Sequence, residues 1–175
     1  KIQGSDLNRN KNTERLTKSR IKVFLGHQKV NLKKATMVVI SSAIKKNNKE
    51  LKEARRKKIP VFRRGEMLAN IVALKKNIVV TGSHGKTTTT SLVANILVEA
   101  GLDPTVINGG VINSLKNTAQ LGKGEWAVIE SDESDGSFLK LPITYSIVTN
   151  VDKEHLDYYG NFEKLKKSFG TFIEK

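Results

Sequence analysis

A chemically unusual segment lies at residues 77–92, NIVVTGSHGKTTTTSL, where glycines, a lysine and four threonines separate two apolar runs. The first run, Asn77–Val80, is typical of a short β-strand. The second run predicts a helix over residues 87–100, with these residues on one face: Leu92, Val93, Ile96 and Leu97. A strand-to-helix turn presents backbone N–H groups and the positive end of the helix dipole, so this segment could hold an anion.

The residue types within this turn favour a nucleotide phosphate. Gly82 and Gly85 permit backbone conformations and close approaches that a side chain would block. Lys86 supplies a mobile positive charge, and the Thr87 hydroxyl could bind a Mg²⁺ ion between two phosphates. The pattern is the short form G-x-x-G-K-T, because the first glycine of a full Walker motif would fall at Val80. An ordinary tight turn with a surface lysine is the alternative.

Two polar clusters each follow a further apolar strand. The first cluster contains Glu130, Asp132, Glu133 and Asp135, and the second contains Asn150, Asp152, His155 and Asp157. The carboxyl ends of parallel strands meet at one edge of a sheet, so we expect both clusters to lie beside the phosphate turn. Carboxylates and a neutral imidazole there predict a phosphate and metal site. The alternative is a solvated acidic loop with a structural histidine.

Composition excludes several other classes of protein. The 175-residue chain has no cysteine and three scattered histidines, which rules out disulfides and zinc fingers, and no apolar run reaches membrane length. Residues 1–76 carry 22 Lys and Arg against 5 Asp and Glu, whereas residues 77–175 carry 9 against 12. The basic half could bind nucleic acid. It has few aromatic residues, and its lysines lie in amphipathic segments, which favours solvated helix faces.

Apolar and amphipathic segments alternate along the chain, which predicts an α/β fold with a mainly parallel sheet. The predicted helices are residues 13–19, 48–57, 65–74, 87–100 and 162–173. The predicted strands are residues 21–25, 36–41, 60–62, 77–80, 105–107, 126–129 and 145–149. The charge shift near residues 75–77 predicts a boundary between a first domain, 1–76, and a second domain, 77–175.

The opening residues, KIQGSDL, resemble the second strand of a dinucleotide-type fold, in which an acidic residue at the strand end contacts a ribose. Asp6 fits that position. No glycine-rich loop precedes it, so we expect the chain to begin within a domain.

Taken together, TGSHGKTTTTSL, INGG, ESDESDGSFL and TNVDKEHLDYY resemble the Mur ligase family, in this order. In the first half, GSDL, GHQKVN, VVISSAI and IPVFRRGEML are similar to the UDP-sugar-binding domain of that family. The resemblance implies a partial Rossmann-like UDP-sugar domain followed by part of a P-loop-type ATP-binding domain. It further implies a C-terminal domain that this chain does not contain, so the chain alone is expected to lack ligase activity.

The implied reaction is ATP-dependent formation of an amide in peptidoglycan synthesis, through an acyl phosphate, with ATP and Mg²⁺ as cofactors. The implied substrates are UDP-N-acetylmuramate and L-alanine. The enzyme is expected to act in the cytoplasm. It is not expected to bind nucleic acid or a membrane, or to need a protein partner. Another amide ligase of the family, such as one acting on folate, and a basic nucleic-acid-binding protein remain alternatives. Ser83 and Glu154 depart from the usual Thr and Asp of the family.

The resemblance also implies roles for individual residues. Lys86, Glu130 and His155 would be catalytic. Thr87 would hold one Mg²⁺, and Glu130 and His155 would hold a second Mg²⁺. ATP would contact Gly82, Ser83, His84, Gly85, Lys86, Thr87 and Thr88. The UDP-sugar would contact Asp6, His27, Ser41, Ser42, His84, Asn108, Gly109, Asp132, Glu133, Ser134 and Asp135.

Overall fold

Short strands and helices alternate in the computed structural model, which describes residues 1–112 and 117–175. The chain divides into two units, Lys1–Arg64 and Gly65–Lys175. The charge pattern predicted a boundary after residue 76 instead. The helix between the two positions lies mainly in the second unit, because Leu68 and Val72 pack into the core of that unit. The limits of the functional domains stay a prediction.

The first unit contains two parallel strand pairs, β1 with β2 and β3 with β4. Asn10 and Asn48 each cap a helix by accepting backbone N–H bonds, which explains where α1 and α2 begin. The elements are β1 (Gln3–Asp6), α1 (Lys11–Lys18), β2 (Lys22–Leu25), a 3₁₀ helix (Lys29–Leu32), β3 (Val38–Ile40), α2 (Lys49–Arg56) and β4 (Val61–Arg63).

The second unit is built on a five-stranded sheet with strand order β7-β6-β8-β5-β9. Strands β6, β8, β5 and β9 run parallel to one another, and β7 pairs antiparallel with β6 at the edge of the sheet. The elements are α3 (Arg64–Val72), β5 (Lys76–Thr81), α4 (Lys86–Glu99), β6 (Thr105–Ile112), β7 (Asn117–Gln120), β8 (Trp126–Glu130), a 3₁₀ helix (Ser137–Lys140), β9 (Tyr145–Val148), α5 (Leu156–Tyr159) and α6 (Phe162–Ile173). The sequence did not predict β7 or α5.

Helices cover both faces of this sheet. On one face, Ala94 of α4 packs against Val106 and Val128. On the other, α3 packs over Ala127 and Ile129, and α6 packs with the second 3₁₀ helix over Val79. The α/β fold with a mainly parallel sheet is therefore confirmed.

The strand order has a direct consequence for the site. Because β5 lies between the parallel strands β8 and β9, the loops that follow all three strands leave the sheet at the same edge. The expected convergence of the three polar segments is confirmed.

Among the residues that the structure describes, no helix is both long and apolar enough to cross a membrane.

Candidate active site

The turn between β5 and α4 has a backbone that only glycine accommodates at its first position. Gly82 has φ +131°, and a Cβ placed there would lie 2.2 Å from Thr149 Oγ1 and 2.8 Å from the Asn150 carbonyl. Gly85 has φ +78° and caps α4, but a Cβ there would meet no atom within 4 Å. The two glycines are therefore required for different reasons, close packing at Gly82 and a left-handed backbone at Gly85.

The loop after β9 holds this turn in place. The Ser83 N–H donates to the Asn150 carbonyl at 3.1 Å, and the His84 N–H donates to Asn150 Oδ1 at 2.9 Å. The His84 carbonyl accepts bonds from Asn150 Nδ2 at 3.0 Å and Thr149 Oγ1 at 2.6 Å. Ser83 Oγ accepts the Asp152 N–H at 2.8 Å. These bonds fix the path of the turn, so its conformation is set before any anion binds.

Lys86 lies at the start of α4 and turns back over this loop. Its Nζ donates to the Gly82 carbonyl at 2.5 Å, the Ser83 carbonyl at 3.2 Å, and both carboxylate oxygens of Glu133 at 3.0 and 3.1 Å. The Glu133 side chain is only 1% exposed, whereas that of Lys86 is 16% exposed. A buried carboxylate requires such a partner, since its burial would otherwise be costly.

Thr87 and Glu130 form a second polar contact at the same edge. Thr87 Oγ1 donates to Glu130 Oε2 at 3.0 Å, and the Gly109 N–H donates to the same oxygen at 3.0 Å. A Cβ on Gly109 would lie 2.7 Å from Glu130 Oε1, so a glycine at this position keeps the space for the carboxylate. A hydroxyl and a carboxylate in contact are suitable oxygen ligands for Mg²⁺.

His155 belongs to a different cluster. Asp132, Glu133 and His155 each offer a ligand atom within 4.8 Å of the others, and His155 Nε2 lies 3.5 Å from Glu133 Oε1. His155 also has φ +54°, a left-handed conformation that is uncommon for a residue with a side chain. Tyr159 OH donates to the Glu133 carbonyl, and burial is the main cause that raises the pKa of Tyr159 to about 12.

This geometry changes how the predicted metal ligands are grouped. Glu130 and His155 were expected to share a Mg²⁺ apart from Thr87, but Glu130 contacts Thr87, and His155 is paired with Glu133. Glu133 was expected to face the sugar nucleotide. Its side chain is instead buried against Lys86, which argues against a direct contact of the carboxylate with substrate. The metal role of the Thr87, Glu130 and His155 set stays a prediction.

The other predicted residues of this unit are distributed around the same edge. His84 is exposed, with its ring 3.6 Å from Asp152 and 3.8 Å from Glu154. Asn108 is buried, and its side-chain amide nitrogen has no hydrogen-bond partner, so it is a free donor beside Gly109. Thr88, Asp132 and Asp135 are exposed and Ser134 is half-buried.

In the first unit, a cavity of about 370 Å³ is lined by three of the residues predicted to face the UDP-sugar: Asp6, His27 and Ser41. Ser42 lies beside Ser41 on the exposed turn after β3. The Asn8 N–H donates to Asp6, and this bond is the main cause that lowers the pKa of Asp6.

His27 in this cavity is held by a carboxylate that the sequence reading did not single out. Glu50 accepts bonds from Ser5 Oγ at 2.6 Å and Asn31 Nδ2 at 2.6 Å, and lies 3.4 Å from His27 Nδ1. Thr149 and Tyr159 were also missed as contacts of the second-unit site. Their only sequence signal is a position directly after a strand or within the TNVDKEHLDYY segment.

Comparison with known proteins places this geometry in a family. The family model "Mur ligase family, catalytic domain" matches residues 1–76, and "Mur ligase middle domain" matches residues 80–175. A UDP-N-acetylmuramate–L-alanine ligase of Pelagibacter ubique is 62% identical over 99% of this chain, and one of Parvibaculum lavamentivorans is 57% identical over 99%. The chain spans 38% and 35% of those two relatives.

A solved structure agrees with these matches. The crystal structure of the UDP-N-acetylmuramate-alanine ligase of Thermotoga maritima superposes with a TM-score of 0.88 at 31% identity, covering 98% of this chain and 40% of that one. The matched segments include the turn after β5 and both polar loops described above. The chain therefore belongs to the Mur ligase family.

Proposed function

We propose that the protein containing this chain is an ATP-dependent ligase that joins L-alanine to UDP-N-acetylmuramate in peptidoglycan synthesis. The observation that carries the proposal is the 62% identity, over 99% of the chain, to a relative named for that activity. The preformed turn at Gly82–Thr87 supports it, since such a turn at a helix N-terminus is suited to nucleotide phosphates. We further propose the cytoplasm as the site of action.

The proposed reaction has two steps. A carboxylate oxygen of the muramate attacks the γ-phosphorus of ATP, ADP leaves, and an acyl phosphate forms. The alanine amine then attacks the acyl carbon and loses a proton, and inorganic phosphate leaves with the former carboxylate oxygen. Both steps move negative charge onto phosphate oxygens, so the chief demand on the protein is to position the reactants and stabilise that charge.

The described residues can meet that demand. The backbone N–H groups at the start of α4 would hold the phosphates of ATP, and the Lys86 ammonium would offset charge on the transferred phosphoryl group. Thr87 and Glu130 offer the oxygen ligands that suit Mg²⁺, and Asp132 offers a further carboxylate beside His155, so the residues present fit this ion. When bound, Mg²⁺ would draw charge from the phosphate oxygens.

The buried Asn108 and the exposed Gly109 lie next to Glu130 and are the residues we assign to the sugar nucleotide in this unit. The amide nitrogen of Asn108 has no protein partner, so its hydrogen-bonding capacity is unused within the described residues. In the first unit, we assign Asp6, His27 and Ser41, around the 370 Å³ cavity, to the uridine diphosphate.

An isotope experiment tests the acyl phosphate. UDP-N-acetylmuramate with ¹⁸O in its carboxylate is incubated with the full-length protein, L-alanine and Mg·ATP, and the released phosphate is examined by mass spectrometry. The proposal predicts one ¹⁸O atom in each phosphate released. Phosphate without ¹⁸O, with the amide formed, would exclude phosphorylation of the carboxylate.

A further inference from the structure

Glu133 is the only described residue whose side chain contacts both the lysine of the phosphate turn and the histidine after β9. Its two carboxylate oxygens lie 3.1 and 3.0 Å from Lys86 Nζ, and one of them lies 3.5 Å from His155 Nε2. With the side chain 1% exposed, the carboxylate has little access to a substrate. The carboxylate therefore contacts charged groups of the protein itself.

The backbone of Glu133 is fixed as well. Its carbonyl accepts bonds from Tyr159 OH and from the Gly136 N–H at 3.1 Å. Tyr159 is the last residue of α5, the short helix that begins directly after His155. The loop after β8 is therefore bonded to the segment that follows β9. A residue anchored at its backbone can hold a partner's side chain in one place, because its own carboxylate has few alternative positions.

Lys86 needs such support. A lysine side chain has four rotatable carbon–carbon bonds and loses substantial rotamer entropy when it is held in one geometry. The carbonyls of Gly82 and Ser83 direct its ammonium toward the turn, and Glu133 supplies a carboxylate 3.0 Å from Nζ. Charge-assisted hydrogen bonds of this kind are stronger and more directional than those to neutral carbonyls.

We propose that Glu133 is a positioning residue, which aims Lys86 at the phosphoryl group without contacting substrate itself. This inference rests on the proposed function, and it assigns Glu133 a role different from the sugar-nucleotide contact that the sequence suggested. The proposal predicts different effects of a Glu133 substitution on ATP affinity and on kcat. Removing the carboxylate charge leaves the ammonium free to attract ATP, but the ammonium no longer lies where the transition state requires it.

The test compares Glu133→Gln, Glu133→Asp and the parent in the full-length protein. Glu163→Gln, which removes an exposed carboxylate paired with Lys166 on α6, is the matched control. Mg·ATP affinity is measured by calorimetry, and kcat is measured as ADP released with saturating UDP-N-acetylmuramate and L-alanine. Thermal unfolding and the calorimetric stoichiometry give the folded fraction of each variant, to which kcat is referred.

For Glu133→Gln we expect kcat to fall between about tenfold and a hundredfold, as for other small misplacements of a reacting group, with Mg·ATP affinity unchanged or tighter. Glu133→Asp keeps the charge with a shorter reach and should give a smaller loss of kcat; it also serves if the Gln variant does not fold. A kcat within about twofold of the parent, or kcat and affinity falling by the same factor, would overturn the inference. A parent with no ATP-dependent turnover would instead overturn the proposed function.

Discussion

Gly82 provides the sharpest prediction about the phosphate turn, because its replacement by alanine strains the backbone and also creates a collision. At φ +131° an alanine costs about 1–3 kcal/mol in backbone strain. Its Cβ would in addition lie 2.2 Å from Thr149 Oγ1, 2.8 Å from the Asn150 carbonyl and 3.0 Å from the Asn150 nitrogen. Overpacking of this kind costs about 1–3 kcal/mol more, since two of these atoms are backbone and cannot rotate away.

Gly85→Ala is the matched control for this prediction. Gly85 also has positive φ, +78°, but a Cβ there meets nothing within 4 Å, so only the left-handed strain of about 1–2 kcal/mol applies. The free energy of unfolding should therefore fall by about 1–3 kcal/mol more in Gly82→Ala than in Gly85→Ala. Thr149→Ala in the Gly82→Ala background should recover only part of the loss, because the collision with Asn150 remains and the Thr149 bond to the His84 carbonyl is removed.

Urea unfolding followed by tryptophan fluorescence measures this difference. Trp126, the single tryptophan of the chain, lies on β8 in the same sheet and stacks on Tyr145. With m values of about 1–3 kcal/mol per M, Gly82→Ala should have a midpoint about 1 M below that of Gly85→Ala. Equal midpoints for the two variants would show that the turn relaxes without cost, and the argument that β9 fixes its path would fail.

Three further predictions follow from other parts of the structure. Tyr159→Phe removes the donor to the Glu133 carbonyl and should lower the free energy of unfolding of the second unit by about 1–3 kcal/mol, measured in urea. A change below about 0.5 kcal/mol would indicate that water replaces the bond. The Arg56 hydrogen bond is the main cause that lowers the pKa of Glu53 from 4.5 to about 2, so the stability it contributes is present above pH 4.5 and is lost as the pH falls toward 2. The difference in melting temperature between parent and Glu53→Gln, followed by circular dichroism, should therefore shrink over that range, while exposed Glu14→Gln should show no such trend. In the full-length protein, His155→Ala should raise the Mg²⁺ concentration required for half-maximal turnover more than it raises the KM for UDP-N-acetylmuramate; an unchanged Mg²⁺ response would remove His155 from the metal site.

The sequence allowed the sheet edge to be predicted because parallel topology constrains it strongly. Once Asn77–Val80, Trp126–Ile129 and Tyr145–Thr149 were interpreted as apolar strands of one parallel sheet, the loops after them had to share an edge. The turn at residues 82–85 could likewise be predicted, since glycine, lysine and threonine at that spacing have a local physical reason.

Features that depend on side-chain packing were harder to predict. The apolar pattern put Leu92, Val93, Ile96 and Leu97 on one face of α4. Leu92 and Ile96 are nevertheless 59% and 67% exposed, because Thr90 and Ala94 are the fully buried residues of this helix. Small side chains there permit a close approach, which apolar periodicity alone does not indicate.

The pairing of the charged residues was also beyond the sequence. Glu133 is one of four acidic residues in the ESDESD segment, yet among them it alone is nearly fully buried, against Lys86. Which carboxylate of a cluster turns inward depends on Lys86, at the start of α4, and on His155 and Tyr159, at the two ends of the α5 segment. Strand β7, with the sequence NTAQ, has little β propensity, and its pairing with β6 follows from tertiary context.

The most direct measurement for the proposed function is an acceptor panel with the full-length protein. UDP-N-acetylmuramate and Mg·ATP are supplied with L-alanine, glycine, L-serine or the tripeptide L-alanyl-γ-D-glutamyl-meso-diaminopimelate, the acceptor in the name of a structural relative with 24% identity from Neisseria. The product is identified by mass spectrometry and ADP release is followed in parallel. We predict UDP-N-acetylmuramoyl-L-alanine as the principal product, with one ADP per amide and no turnover when any substrate is omitted. Preference for the tripeptide, or amide formation without ATP, would contradict the account.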